Sequence, residues 1–123
     1  MPIIQAPLAP THEMGGARFT SLATPSRGSS DTSVWTVEIS PGSPGVPHTL
    51  TREEVFVVLS GTARVRIADE VQTAGPGDAI VVPVDTPFQL TNNGSAVLRL
   101  LCCMPVDGQA CVDGTTFTPP WAQ

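Results

Sequence analysis

Apolar residues in this chain come in short runs that alternate with polar ones at a period of two. SVWTVEIS (Ser33–Ser40), EVFVVLSG (Glu54–Gly61) and TARVRIADE (Thr62–Glu70) show it first; in the last of these Arg64 and Arg66 face away from Ala63, Val65 and Ile67. DAIVVPV (Asp78–Val84), FQLTN (Phe88–Asn92) and AVLRLLCCM (Ala96–Met104) continue the series. The runs are separated by clusters drawn from 13 prolines and 11 glycines, the punctuation of many short strands joined by turns. No segment sustains a helical period with caps. Strands spaced about ten residues apart predict an antiparallel sandwich or barrel rather than βαβ units. No internal repeat is present. Residues 1–32 and 106–123 read as irregular and need docking to stay ordered.

A length of 123 residues fits one domain, 1–123, with its core at about 33–105. Hydrophobic residues make up 41% and charged ones 14%, which excludes a disordered chain. The net charge of −5 and the absence of lysine argue against nucleic acid or an anionic membrane as partner. The opening MPIIQAPLAP lacks a basic start and is broken by Pro7 and Pro10, so no signal peptide is read. No run reaches the roughly 20 apolar residues of a membrane helix. A soluble, cytoplasmic protein is expected. Three cysteines, with Cys102 and Cys103 adjacent, do not form a disulfide framework and are expected as reduced thiols.

The stretch PGVPHTLTREEVFVVLSG (Pro44–Gly61) carries one histidine, two acids and an apolar run. Its spacing resembles the first motif of the cupin superfamily, G-x5-H-x-H-x3/4-E-x6-G. Gly42, His48, Glu54 and Gly61 stand in register, and Leu50 occupies the place of the second histidine. The second motif, G-x5-P-x-G-x2-H-x3-N, is matched by Gly77, Pro83 and Asn92, with Asp85 in place of the glycine and Phe88 in place of the histidine. The resemblance runs from about Ser33 to Pro105 and implies a single-domain antiparallel jelly-roll β-barrel of the RmlC-like kind. Relatives of this type hold a metal with three histidines and a glutamate. Here only His48 and Glu54 remain, and two ligands rarely hold a divalent ion. No cofactor is expected; were zinc or iron bound, Cys102 is the expected third ligand beside His48 and Glu54.

Strand parity and the motif positions point His48, Leu50, Glu54, Phe56, Phe88, Leu90, Leu100 and Cys102 inward. An apolar concavity with few polar groups describes a small-molecule pocket. Each residue also has a plainer reading: His48 as a hydrogen-bonded core residue, Cys102 as inert packing, Phe56 and Phe88 as core aromatics. Glu53 reads as a surface acid, His12 as a surface residue and Trp121 as an anchor for the tail. Three functions stay open. His48 and Glu54 could act as acid and base, sharing a proton, in isomerisation, dehydration or cyclisation of a carbonyl metabolite. The barrel could bind a metabolite without chemistry. An altered metal shell could support an oxygenase or lyase. A homodimer is expected, paired through edge strands.

Overall fold

Twelve strands form in the computed structural model, which describes residues 3–123. They are β1 (His12–Met14), β2 (Ala17–Ala23), β3 (Thr32–Ile39), β4 (Thr49–Leu50), β5 (Glu54–Ser60) and β6 (Ala63–Ile67). The remainder are β7 (Glu70–Ala74), β8 (Ala79–Val82), β9 (Phe88–Thr91), β10 (Leu98–Pro105), β11 (Ala110–Val112) and β12 (Thr115–Phe117). Only two short 3-10 turns interrupt them among the described residues, at Pro25–Arg27 and Pro120–Ala122.

One sheet runs β1-β2-β3-β10-β5-β8; two smaller ones run β7-β6-β9 and β12-β11-β4. The strand pairs are antiparallel. The two small sheets meet at one point, an antiparallel bridge between His48 and Phe88, so together they form the second layer of a jelly roll. Alternation sends Glu54, Phe56 and Val58 of β5, Val65 of β6, Phe88 and Leu90 of β9, and Leu98, Leu100, Cys102 and Met104 of β10 between the layers, where all are buried. Arg64, Arg66 and Arg99 face out, as the pattern predicts.

Turn chemistry fixes the register. Gly61, between β5 and β6, has φ 86°, and a Cβ there would lie 2.7 Å from the Val97 carbonyl oxygen; only glycine fits. Asp85, standing where the second motif has glycine, keeps the left-handed backbone at φ 56°, a conformation that aspartate tolerates better than most residues. Asn92 explains itself as well. It is fully buried, its Nδ2 donates to the carbonyls of Ile39 and Ala96 at 2.9 Å each, and its Oδ1 accepts from the Gly94 N–H at 3.0 Å.

The two ends are more regular than the sequence pattern predicts. ARFTSLA pairs with β3 as β2, its alternation muted because the inward positions are Phe19 and the small polar Ser21. In the tail, Asp113 (φ 49°) and Gly114 (φ 80°) make the two-residue turn of a hairpin between β11 and β12. The strand expected over Thr62–Glu70 stops at Ile67, where Ala68 turns with φ 53°, and β7 begins separately at Glu70. Trp121 anchors the tail: its ring stacks on Phe19 at 3.6 Å and 4°, and its carbonyl accepts from Ser21 Oγ at 2.7 Å. Replacing Asn92 by alanine strands two carbonyls and one N–H, and is expected to lower unfolding stability by about 3 kcal/mol, read by urea denaturation. A loss within ~0.5 kcal/mol would mean that water takes over the amide's bonds.

Candidate functional site

His48 stands just before β4, and its backbone is tied on both sides. Its N–H donates to the Phe88 carbonyl at 3.1 Å and its carbonyl accepts from the Phe88 N–H at 3.0 Å. Residues opposed in this way point their side chains to one face, and the half-buried imidazole lies 4.3 Å from the Phe88 ring at 52°. Nδ1 is 2.7 Å from the Val46 carbonyl. A carbonyl only accepts, so Nδ1 carries the hydrogen, and the Nε2 of the neutral ring keeps its lone pair free.

Glu54 opens β5. It faces inward, opposite Val82 of β8, and is 5% exposed. Among the described residues its carboxyl has no hydrogen-bond or ion-pair partner. Burial pushes its pKa from an ordinary 4.5 to about 8, because an apolar surrounding disfavours the charged form. It is therefore mainly a neutral acid at pH 7. The shared proton expected between His48 and Glu54 is not formed: no hydrogen bond or ion pair joins them among the described residues. His48 spends Nδ1 on its own loop, and the Thr51–Glu53 turn separates the two positions along the chain.

Cys102 sits on β10 opposite Phe56 and is fully buried. Its thiol pKa is raised by burial first, then by the nearby Glu54 carboxyl, then by Cys103, so the thiolate is disfavoured. Leu50, Phe56, Phe88, Leu90, Leu100 and Cys102 all point inward as expected and belong to one packed cluster. The larger concavity nearby, about 400 Å³, is a cleft between the edge strands β7 and β8. Val65, Ile67 and Ile80 wall it, with Glu70, Gln72 and Asp78 at its polar side. It touches the inner residues through the strand register, since Ile67 opposes Phe88 and Ile80 opposes Phe56. Sequence reading missed the cleft because EVQTA of β7 is polar and mostly exposed; the turn at Ala68-Asp69 was its one signal.

Residues 35–104 match the cupin domain family. The chain belongs to the cupin family. An uncharacterised protein of Methanocaldococcus jannaschii is 34% identical over 53 residues, a match that spans 43% of this cupin and 42% of that protein. Among solved structures, the polyketide cyclase RemF of Streptomyces resistomycificus superposes with a TM-score of 0.70 at 22% identity, over 85% of this chain and 75% of that one. The 7S globulin of Momordica charantia gives 0.72 at 19% identity, over 92% of this chain and 36% of that one. At these identities both likenesses are of fold.

A cupin metal centre does not fit these side chains. Leu50 and Phe88, at two ligand positions, offer no donor atom and are 2% and 3% exposed. Among the described residues no three histidine, cysteine, aspartate or glutamate side chains gather where they could hold an ion. The alternative set of His48, Glu54 and Cys102 is thus not assembled.

The buried carboxyl has a thermodynamic signature. The unfolded chain releases the Glu54 proton near 4.5, whereas the folded chain holds it to about 8. Between those values the folded state binds more protons, so stability falls as pH rises. Glu54→Gln is expected to leave stability unchanged at pH 4 and to raise it by up to about 5 kcal/mol above pH 8. Parallel pH–stability curves for the two proteins would show that the Glu54 carboxyl ionises freely in the fold.

Proposed function

We propose that this cupin is a small-molecule enzyme that moves a proton at a carbon next to a carbonyl, with His48 as base and Glu54 as acid. The observation that carries the reading is the buried, partnerless Glu54 carboxyl, since strongly perturbed groups concentrate at functional sites. The imidazole supplies the complement, an Nε2 lone pair on a ring oriented by Val46.

In this scheme Nε2 takes a proton from the α-carbon of the substrate, and the electron pair shifts onto the carbonyl oxygen. The neutral Glu54 carboxyl hydrogen-bonds to or protonates that oxygen, which stabilises the developing charge. Return of the proton at a different carbon is isomerisation. Expulsion of a β-hydroxyl as water is dehydration, and attack of the enol on a second carbonyl closes a ring. None of the three outcomes changes the net oxidation state of the substrate. A solved relative of the same fold is a polyketide cyclase, so the fold hosts ring closure elsewhere. The cleft between β7 and β8 is walled in part by Ile67 and Ile80, the register partners of Phe88 and Phe56. Its volume lies in the range of small-ligand pockets.

The test is solvent deuterium exchange at the α-carbon across a panel of 1,3-dicarbonyl and β-hydroxycarbonyl compounds, followed by NMR. Exchange is expected with wild type, to fall roughly 100-fold in His48→Gln, and to decline as pH rises through the Glu54 value of about 8. Saturable binding with no exchange would favour the second reading, a metabolite-binding barrel without turnover.

We also propose a homodimer, packed through the outer face of the six-stranded sheet rather than by edge strands. Strand register aligns Val34, Cys103, Val55 and Val81 in one row and Leu101 beside Val57 in the next. This patch is apolar while the net charge of the chain is −5. Sedimentation equilibrium is expected to give a dimer at micromolar concentration and a monomer for Val57→Lys; a monomeric wild type removes this assignment.

A further inference from the structure

The second layer carries a concavity on its outer surface, of about 210 Å³, lined by Arg64 and Arg66 of β6, Val71 of β7, Gln89 and Thr91 of β9, and Asn93. Register places Arg64 opposite Thr91 and Arg66 opposite Gln89, so all four side chains project from one face. The guanidinium groups belong to residues two apart on one strand and stand side by side on that face. Among the described residues neither makes a hydrogen bond or an ion pair, whereas Arg18 pairs with Glu38 and Arg52 with Asp107.

This placement runs against the charge of the chain. The protein has 11 acidic residues against six arginines, yet no carboxylate lines the concavity. Two adjacent cations without a counter-charge repel each other, and an oxyanion seated between them would relieve both at once. Guanidinium forks suit planar carboxylates and tetrahedral phosphates, binding either through paired N–H donors. The walls are also fixed. Gln89 Nε2 donates to the Gly45 carbonyl at 2.8 Å, which holds that side of the concavity against the loop before His48.

We propose that the Arg64–Arg66 concavity is a binding site for a small dianionic oxyanion, a phosphate or a short dicarboxylate, separate from the barrel interior. It lies on the opposite face of β9 from Phe88 and does not depend on the chemistry assigned to His48 and Glu54. Its volume suits a ligand of the size of inorganic phosphate or a four-carbon diacid.

The experiment is titration of ¹⁵N-labelled full-length protein with inorganic phosphate, with succinate and with chloride, at constant ionic strength. Saturable shifts are expected at the amides of Arg64–Arg66 and Gln89–Asn93 with phosphate or succinate, and none with chloride. Phosphate alone would point to a phosphorylated ligand, and succinate alone to a carboxylate one. The double variant R64Q/R66Q is expected to bind roughly tenfold more weakly or worse. R99Q, which removes an exposed arginine from the other sheet, should bind as wild type does. Shifts that never saturate, that chloride reproduces, or that R99Q weakens as much as R64Q/R66Q would overturn the site. Each variant removes an exposed side chain, so an unchanged amide spectrum elsewhere confirms the fold.

Discussion

The two small sheets of this barrel's second layer are bridged by one residue pair, beside which the Asp85 N–H donates to the Leu50 carbonyl at 2.9 Å. β9 and β4 belong to different three-stranded ladders, and the reciprocal hydrogen bonds of His48 and Phe88 are what joins them. Two backbone bonds contribute only about 1 kcal/mol each, but they decide position as well as stability. They put the imidazole against the Phe88 ring, and they leave Thr49 and Leu50 free to pair onward with β11. In the family pattern both of these places hold metal-binding histidines. Here one ring still offers a nitrogen and the other is a hydrocarbon wall, so the same scaffold sets an imidazole beside an apolar surface.

Glu54 is the counterpart of that change. In a metal-binding cupin a cation would neutralise the carboxylate at this position. With leucine and phenylalanine replacing two donors, the buried carboxyl stands beside Val82 of the neighbouring strand with no counter-charge, and desolvation then favours its protonated form. Burial likewise raises the Cys102 thiol, and Glu54 adds to this only where it is ionised. Burial without a counter-charge thus leaves a neutral acid and an inert thiol in the interior, while the Val46 carbonyl leaves the His48 Nε2 free.

How much of this the sequence revealed depends on whether a feature is local. Period-two alternation and β-rich runs located β3, β5, β6, β8, β9 and β10, and strand parity together with the motif positions gave the inward side of β5, β6, β9 and β10, because burial on one face imposes that period. The motif positions located His48, Glu54 and Asn92, whose roles rest on fixed spacings. Alternation failed at β2, where the inward Ser21 is polar because it donates to the tail, and at β11 and β12, whose Asp-Gly turn is a readable hairpin signal that went unused. Pairwise facts lay beyond reach. Nothing in the linear order of His48 and Glu54 says that Nδ1 will bond to Val46 and leave Glu54 unpartnered. The cleft between β7 and β8 likewise depends on two consecutive strands joining different sheets across the Gly75–Asp78 turn, which alternation alone does not reveal.

The two surfaces of β9 share one support. On its inner face Phe88 packs against His48; on its outer face Gln89 lines the arginine concavity and bonds to Gly45. Gly45 can lie there because it has no side chain: a Cβ would run into the Leu90 carbonyl oxygen of the same strand. Val46, the next residue, carries the carbonyl that accepts from His48 Nδ1. The orientation of the imidazole thus follows from a loop laid against β9 by one close backbone approach and one amide bond from the outer side. A side chain at position 45 would displace the loop, and with it the acceptor that keeps the proton on Nδ1, while the His48–Phe88 bridge could remain in place. Fixing the backbone of His48 and fixing its tautomer are therefore separate tasks, the first performed by Phe88 of β9 and the second by Val46 of the loop.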